Sequence, residues 1–195
     1  MIKEKFISMF NYKYGLTKAV LDGSKTMTRR IVPQTTIDKY SLLEDNTIID
    51  DARYDIGDVV AVAQSYKELG YDNRSLDRSP KDLRIVRGTL GQSKGWNNKM
   101  FVRAEACKHH IRITDISIER LQDISNADCL REGIRKSVID YDGTHIVQYT
   151  YFCNKRTIWY DTHREAFAAL IDLISGKGTW ESNPYVFVYE FELAD

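Results

Sequence analysis

Residues 21–33 read LDGSKTMTRRIVP and bring an amine, hydroxyls and two guanidinium groups close together, with Gly23, Lys25, Thr28, Arg29 and Arg30 as the candidates. In an extended chain after Gly23, Thr28 and Arg30 point to one side, because strand side chains alternate with period two. Lys25 joins them only where a turn intervenes. An amine that is desolvated or lies beside a cation such as Arg30 gives up its proton more readily, and the neutral amine can then activate a Thr hydroxyl or a water. The competing reading of the same stretch is a solvated basic face. Arg30 can also pin the loop by pairing with a carboxylate.

The elements that must position these groups belong to a chain of 195 residues, 43% apolar, long enough to bury a core. Its 28 basic residues equal its 28 acidic ones, so bulk charge supports neither a general nucleic-acid coat nor a membrane-surface binder. Any nucleic-acid contact has to come from a local patch. No apolar run reaches the roughly 18 residues of a membrane span, and MIKEKFISMF lacks a signal-peptide core, which predicts a cytoplasmic protein without a membrane partner. Cys107, Cys129 and Cys153 are odd in number and widely spaced, as expected of reduced packing thiols.

Strand signals occur at KEKFISMF and at residues 59–63, 99–104, 111–118 and 185–191, with a slip between the Ile111/Ile113 and Ile116/Ile118 pairs. Helix signals occur at 17–22, closed by Gly23, and in SNADCLREGI, capped by Ser125. The strongest is in THREAFAALIDLISGKG, where Thr162 and Glu165 form a capping box, Phe167, Leu170, Ile171 and Ile174 share a face, and Gly176 ends the run. Strands with few intervening helices argue against a doubly wound parallel sheet. The pattern predicts an α+β fold: one domain over 1–195, a small mixed β-barrel with two or three packed helices and two long loop insertions at about 67–98 and 135–161. Loops of that length usually bind something or move.

Other residues invite a chemical reading. CKHH, with Cys107, His109 and His110, suggests a metal, but adjacent His residues at a strand start rarely converge on one ion, so no metal is expected. Trp96 and Trp180 sit beside Gly or Asn or in polar loops and are candidates for stacking on a base. Tyr185, Phe187 and Tyr189 share one face of the last strand and read as core.

Gly23, Lys25, Thr28 and Arg30 match the G-x-K-x-x-T-x-R signature of the ASCH family, whose fold is a barrel similar to the PUA RNA-binding domain. YDIGDVVAV resembles the family's G-D-hydrophobic strand, REGI its acidic-Gly-apolar helix end and NPYVFVYEFEL its closing strand, together about half the chain in order. The pattern is most similar to ASCH proteins of bacteria, phages and mobile elements. The resemblance implies an RNA- or nucleoside-binding domain that needs no cofactor. In the family's amidohydrolases, which remove an acyl group from the exocyclic amine of cytidine, the catalytic set corresponds to Lys25, Thr28 and Glu132. Where relatives often carry an acidic residue after the G-D turn this chain has Gln64, which cannot act as a base but can read a base edge. The alternative is a non-catalytic RNA-binding regulatory module using Lys25, Arg29, Arg30 and Arg103 on phosphates. A ribonuclease is the third reading.

Overall fold

The computed structural model describes residues 2–8, 10–40, 46–75, 89–102, 104–151 and 157–194. In chain order the elements are β1 (Ile2–Ser8), α1 (Leu16–Leu21), β2 (Met27–Ile31), α2 (Gln34–Tyr40), β3 (Val59–Val62), β4 (His110–Arg120) and α3 (Asn126–Arg131). They continue with β5 (Arg135–Tyr141), β6 (Thr144–Thr150), α4 (His163–Ser175), α5 (Thr179–Ser182) and β7 (Tyr185–Leu193). The fold is mixed α+β, as the sequence pattern predicts. The hydrogen-bonded ladder ends at β1 on one side and at β2 on the other, so among the described residues the sheet is not closed into a ring.

The chain groups into two compact units, with β4 contributing its first residues to one and the rest to the other. The first unit comprises residues 1–10, 58–112 and 194–195. Here β3 pairs in parallel with β1 and antiparallel with β4, through Val59↔Arg112 and Ala61↔His110. The described residues of the unit also include short 3-10 turns, and the buried side chains of Leu90, Val102, Ala104 and Cys107 in and beside them pack with Ala61, Tyr66 and Leu69. Residues 99–104 are a correction to the sequence pattern. The described residues among them form no strand: Lys99–Phe101 is a 3-10 turn capped by the Asn98 side chain, which accepts from the Met100 N–H. Alternation in KMFVRA misleads because Met100 and Phe101 are both exposed.

The second unit comprises residues 11–57 and 113–193. Within it β7 lies between β4 and β2, and β2 pairs antiparallel with β7 from Met27↔Glu190 to Ile31↔Val186. The Thr162–Glu165 capping box starts α4 as predicted, and Ala166, Phe167, Leu170 and Ile171 are its buried face. Ile174 is exposed. Ile113 and Ile116 are both buried although three residues apart, which is the slip read from the sequence. Much of the second predicted insertion is an ordered ribbon, with β5 and β6 paired from Arg135↔Thr150 to Tyr141↔Thr144. Its turn is Asp142-Gly143, both at positive φ, the chemistry of a tight hairpin.

Candidate functional site

The site begins where α1 stops. Gly23 takes φ +75°, and the Lys25 N–H donates back to the Ala19 carbonyl at 2.8 Å, folding the chain so that Lys25 precedes β2 without extending from it. Thr26 then joins two elements, its N–H donating to the Arg131 carbonyl (3.0 Å) and its carbonyl accepting from the Phe191 N–H (2.9 Å). The Val32 N–H likewise donates to the Tyr185 carbonyl, so the even-numbered residues of β2 turn their backbone groups to β7 and the odd ones turn theirs away. The Met27 carbonyl is thereby left for another donor.

Glu132 is brought to it by the end of α3. Ser125 caps the helix start by accepting from the Asp128 N–H, and the end closes with Gly133 N–H donating to Leu130 O (2.9 Å) and Ile134 N–H to Cys129 O (3.2 Å). This paired closure requires a left-handed residue after the helix, and Gly133 supplies it at φ +103°. A Cβ at this position would lie 3.2 Å from Leu16 Cδ2 and 3.7 Å from Lys25 Cδ. Gly133→Ala is therefore expected to cost roughly 1–3 kcal/mol of stability through backbone strain and to press on the Lys25 stem, measured by denaturant unfolding.

These turns bring Lys25 and Glu132 together. Lys25 Nζ donates to Met27 O (2.7 Å), to Glu132 O (2.8 Å) and to Glu132 Oε2 (2.6 Å), which matches three donors to three acceptors. Both residues are buried. Arg29 holds the other carboxylate oxygen, Nη1 donating to Glu132 Oε1 at 3.1 Å, while Nε and Nη2 reach Glu119 Oε1 at 2.8 Å. Asp128 Oδ2 lies 3.7 Å from Arg29 Nη2. Arg131 extends the cluster with a two-pronged pair to Glu190, at 3.1 and 2.7 Å. Burial is the main effect on the Lys25 amine and drives its pKa below the ordinary value; Glu132 pulls it back up, and Arg30 and Arg29 push it further down. The buried Cys129 thiol beside this cluster is pushed up to about 11 by burial, which keeps it protonated and inert.

The fate of each candidate follows from strand alternation. Thr28 and Arg30 lie on one face of β2 with cross-strand partners Tyr189 and Phe187, and Thr28 is buried while Arg30 is exposed. Met27 and Arg29 take the other face, opposite Glu190 and Val188, where the carboxylates are. Arg29, read from the sequence as a phosphate contact, has a buried guanidinium paired with Glu119, Glu132 and Asp128. Trp180, the candidate for stacking on a base, is half-buried. Its ring packs edge-on against Phe167 with Arg164 over it, and its backbone N–H donates to Asp172 Oδ1. Gln64 and Trp96 belong to the first unit, where Trp96 packs against the apolar cluster and the buried Gln64 Oε1 has no hydrogen-bond partner among the described residues. Arg103 lies outside the described residues. Glu119 was not among the sequence candidates, and Asp128 entered only as part of the helix start capped by Ser125. The signal for them was Arg29 itself, since an arginine on the inward face of a strand needs carboxylates.

No group of three or more His, Cys, Asp or Glu among the described residues could hold a metal ion, and none of the described helices is long and apolar enough to cross a membrane. No family model and no curated protein matches the chain. Its fold is similar to the crystal structure of an ASCH domain from Lactobacillus crispatus JV V101, at 10% sequence identity and a TM-score of 0.41, over 98% of this chain and 80% of that one.

Proposed function

We propose that this chain is an ASCH-type nucleoside- or RNA-binding domain whose Lys25–Glu132 pair serves an amidohydrolase that removes an acyl group from the exocyclic amine of cytidine. The observation that carries the reading is the 2.6 Å contact between Lys25 Nζ and Glu132 Oε2, made across 107 residues of chain in a buried site. Amide hydrolysis needs a base for the attacking hydroxyl or water and an acid for the departing amine. A proton moved from Nζ to Oε2 leaves Lys25 with a lone pair and Glu132 with an acidic proton, so the pair contains both functions. Water adds to the acyl carbon and gives its proton to the Lys25 amine, the carbon–nitrogen bond breaks, and the exocyclic nitrogen takes the proton from Glu132. Arg30 is exposed beside this segment.

One observation favours the second reading, a binding module without turnover. Every proton of the Lys25 ammonium already has an oxygen acceptor, which is the arrangement of a structural tether joining β2 to the end of α3. Incubating the protein with a panel of acylated nucleosides and short single-stranded RNAs, with mass analysis of the products, separates the readings. Release of the acyl group from acylated cytidine supports the amidohydrolase. Binding of RNA without any change of mass supports the module, and RNA cleavage would point to a ribonuclease.

A further inference from the structure

We infer that Arg29, which lies outside the G-x-K-x-x-T-x-R positions, is a positioning residue that divides the Glu132 carboxylate, holding Oε1 so that Oε2 faces Lys25. The catalytic consequence rests on the amidohydrolase reading, whereas the geometric one does not.

A glutamate on two cations can rotate about its last torsion, and a broad torsional well does little to prevent it. Here the rotation is blocked by complementary claims, Oε1 at 3.1 Å from Arg29 Nη1 and Oε2 at 2.6 Å from Lys25 Nζ. Arg29 is itself fixed from both sides. Its Nε and Nη2 share Glu119 Oε1 on β4, and Nη1 also lies 3.1 Å from Met27 Sδ on its own strand. The planar fork matters, because an ammonium at this place could not address Glu119 and Glu132 along fixed directions. Glu119 therefore acts on Lys25 at two removes, through Arg29 and then Glu132. The arrangement also sets two positive groups around one carboxylate, and Arg29 is one of the charges that lower the Lys25 pKa.

The test uses the intact chain and does not require turnover. Proton–nitrogen NMR of the lysine side chains should show the Lys25 ammonium protected from solvent exchange in the parent protein. In Arg29→Met the freed carboxylate rotates, and exchange at Lys25 should quicken by roughly ten- to a hundredfold, the equivalent of one charge-assisted hydrogen bond. Arg29→Lys should fall between the two. Because Arg29→Met strands carboxylates and can fail to fold, Glu119→Gln provides a second variant that keeps the Arg29 charge but loosens its anchor, and it too should speed exchange. Unchanged protection of Lys25 in the folded variants overturns the proposal and makes Arg29 a space-filling cation. Where acylated cytidine is turned over, Arg29→Met should lower kcat with KM nearly unchanged, and added guanidinium ion should restore part of the rate. A loss confined to KM would overturn the positioning role while leaving the amidohydrolase reading intact.

Discussion

Glu132→Gln is expected to reduce turnover of acylated cytidine by about a hundred- to ten-thousand-fold, the usual range for removing a general acid, while nucleoside binding measured by calorimetry stays close to that of the parent. The amide keeps the size of the side chain and still accepts from Lys25, but it has no proton to give the departing amine. Lys25→Met should cause a comparable loss by removing the base, and Thr28→Ala reports separately on the hydroxyl. Full activity in Glu132→Gln would remove Glu132 from the chemistry. The active pair carries a single proton, on Lys25 Nζ at rest and on Glu132 Oε2 after transfer, so kcat should fall with rising pH as that proton is lost, through a value below the ordinary lysine range because burial disfavours the ammonium.

The same pair should dominate a stability experiment. Glu132→Leu leaves the Lys25 ammonium buried without its carboxylate, and removing one member of a buried pair costs roughly 3–5 kcal/mol. The double variant Lys25→Met with Glu132→Leu should recover much of that, since no ammonium is then left stranded and Arg29, which loses Oε1, keeps Glu119. A coupling of about 1–3 kcal/mol in the cycle is the expected signature of contact; simple additivity would show that the two groups do not interact in solution. The pH dependence has a definite sign. Between the lowered pKa of Lys25 in the folded protein and its ordinary value when unfolded, the unfolded chain binds the extra proton. Stability contributed by this group therefore rises with pH through that window, and Lys25→Met should flatten the slope.

What the residues disclosed in advance divides along the range of the interactions involved. The capping box at Thr162–Glu165 and the buried face of α4 could be read directly, because helix starts and period-3.6 stripes are local. The β5–β6 ribbon could have been read from Asp142-Gly143 between β-branched runs. It was obscured by exposure, with Val138, Ile139, Ile146 and Val147 open to solvent and polar residues between them. At the site, Gly23 and Gly133 announced their turns. The pairing of Lys25 with Glu132 came from a family resemblance, as no local pattern connects residues so far apart. The Arg29-Arg30 pair shows what a charge count hides: adjacent residues on a strand face opposite ways, so one guanidinium is buried among carboxylates and its neighbour is in solvent.

The bonds that build the cluster also imply an order of assembly. Lys25 meets Glu132 across 107 residues, Arg29 meets Glu119 across 90, and Arg131 meets Glu190 across 59. None of these contacts nucleates locally, and each requires closure of a long loop before it contributes anything. During synthesis the motif around Lys25 emerges early and must wait for α3 to be made, and Glu190 of β7 comes later still. Until then the lysine and two arginines are ordinary hydrated cations on an incomplete chain. The site is thus held by long-range closure, and its charge balance includes the Arg131–Glu190 pair only when β7 is docked.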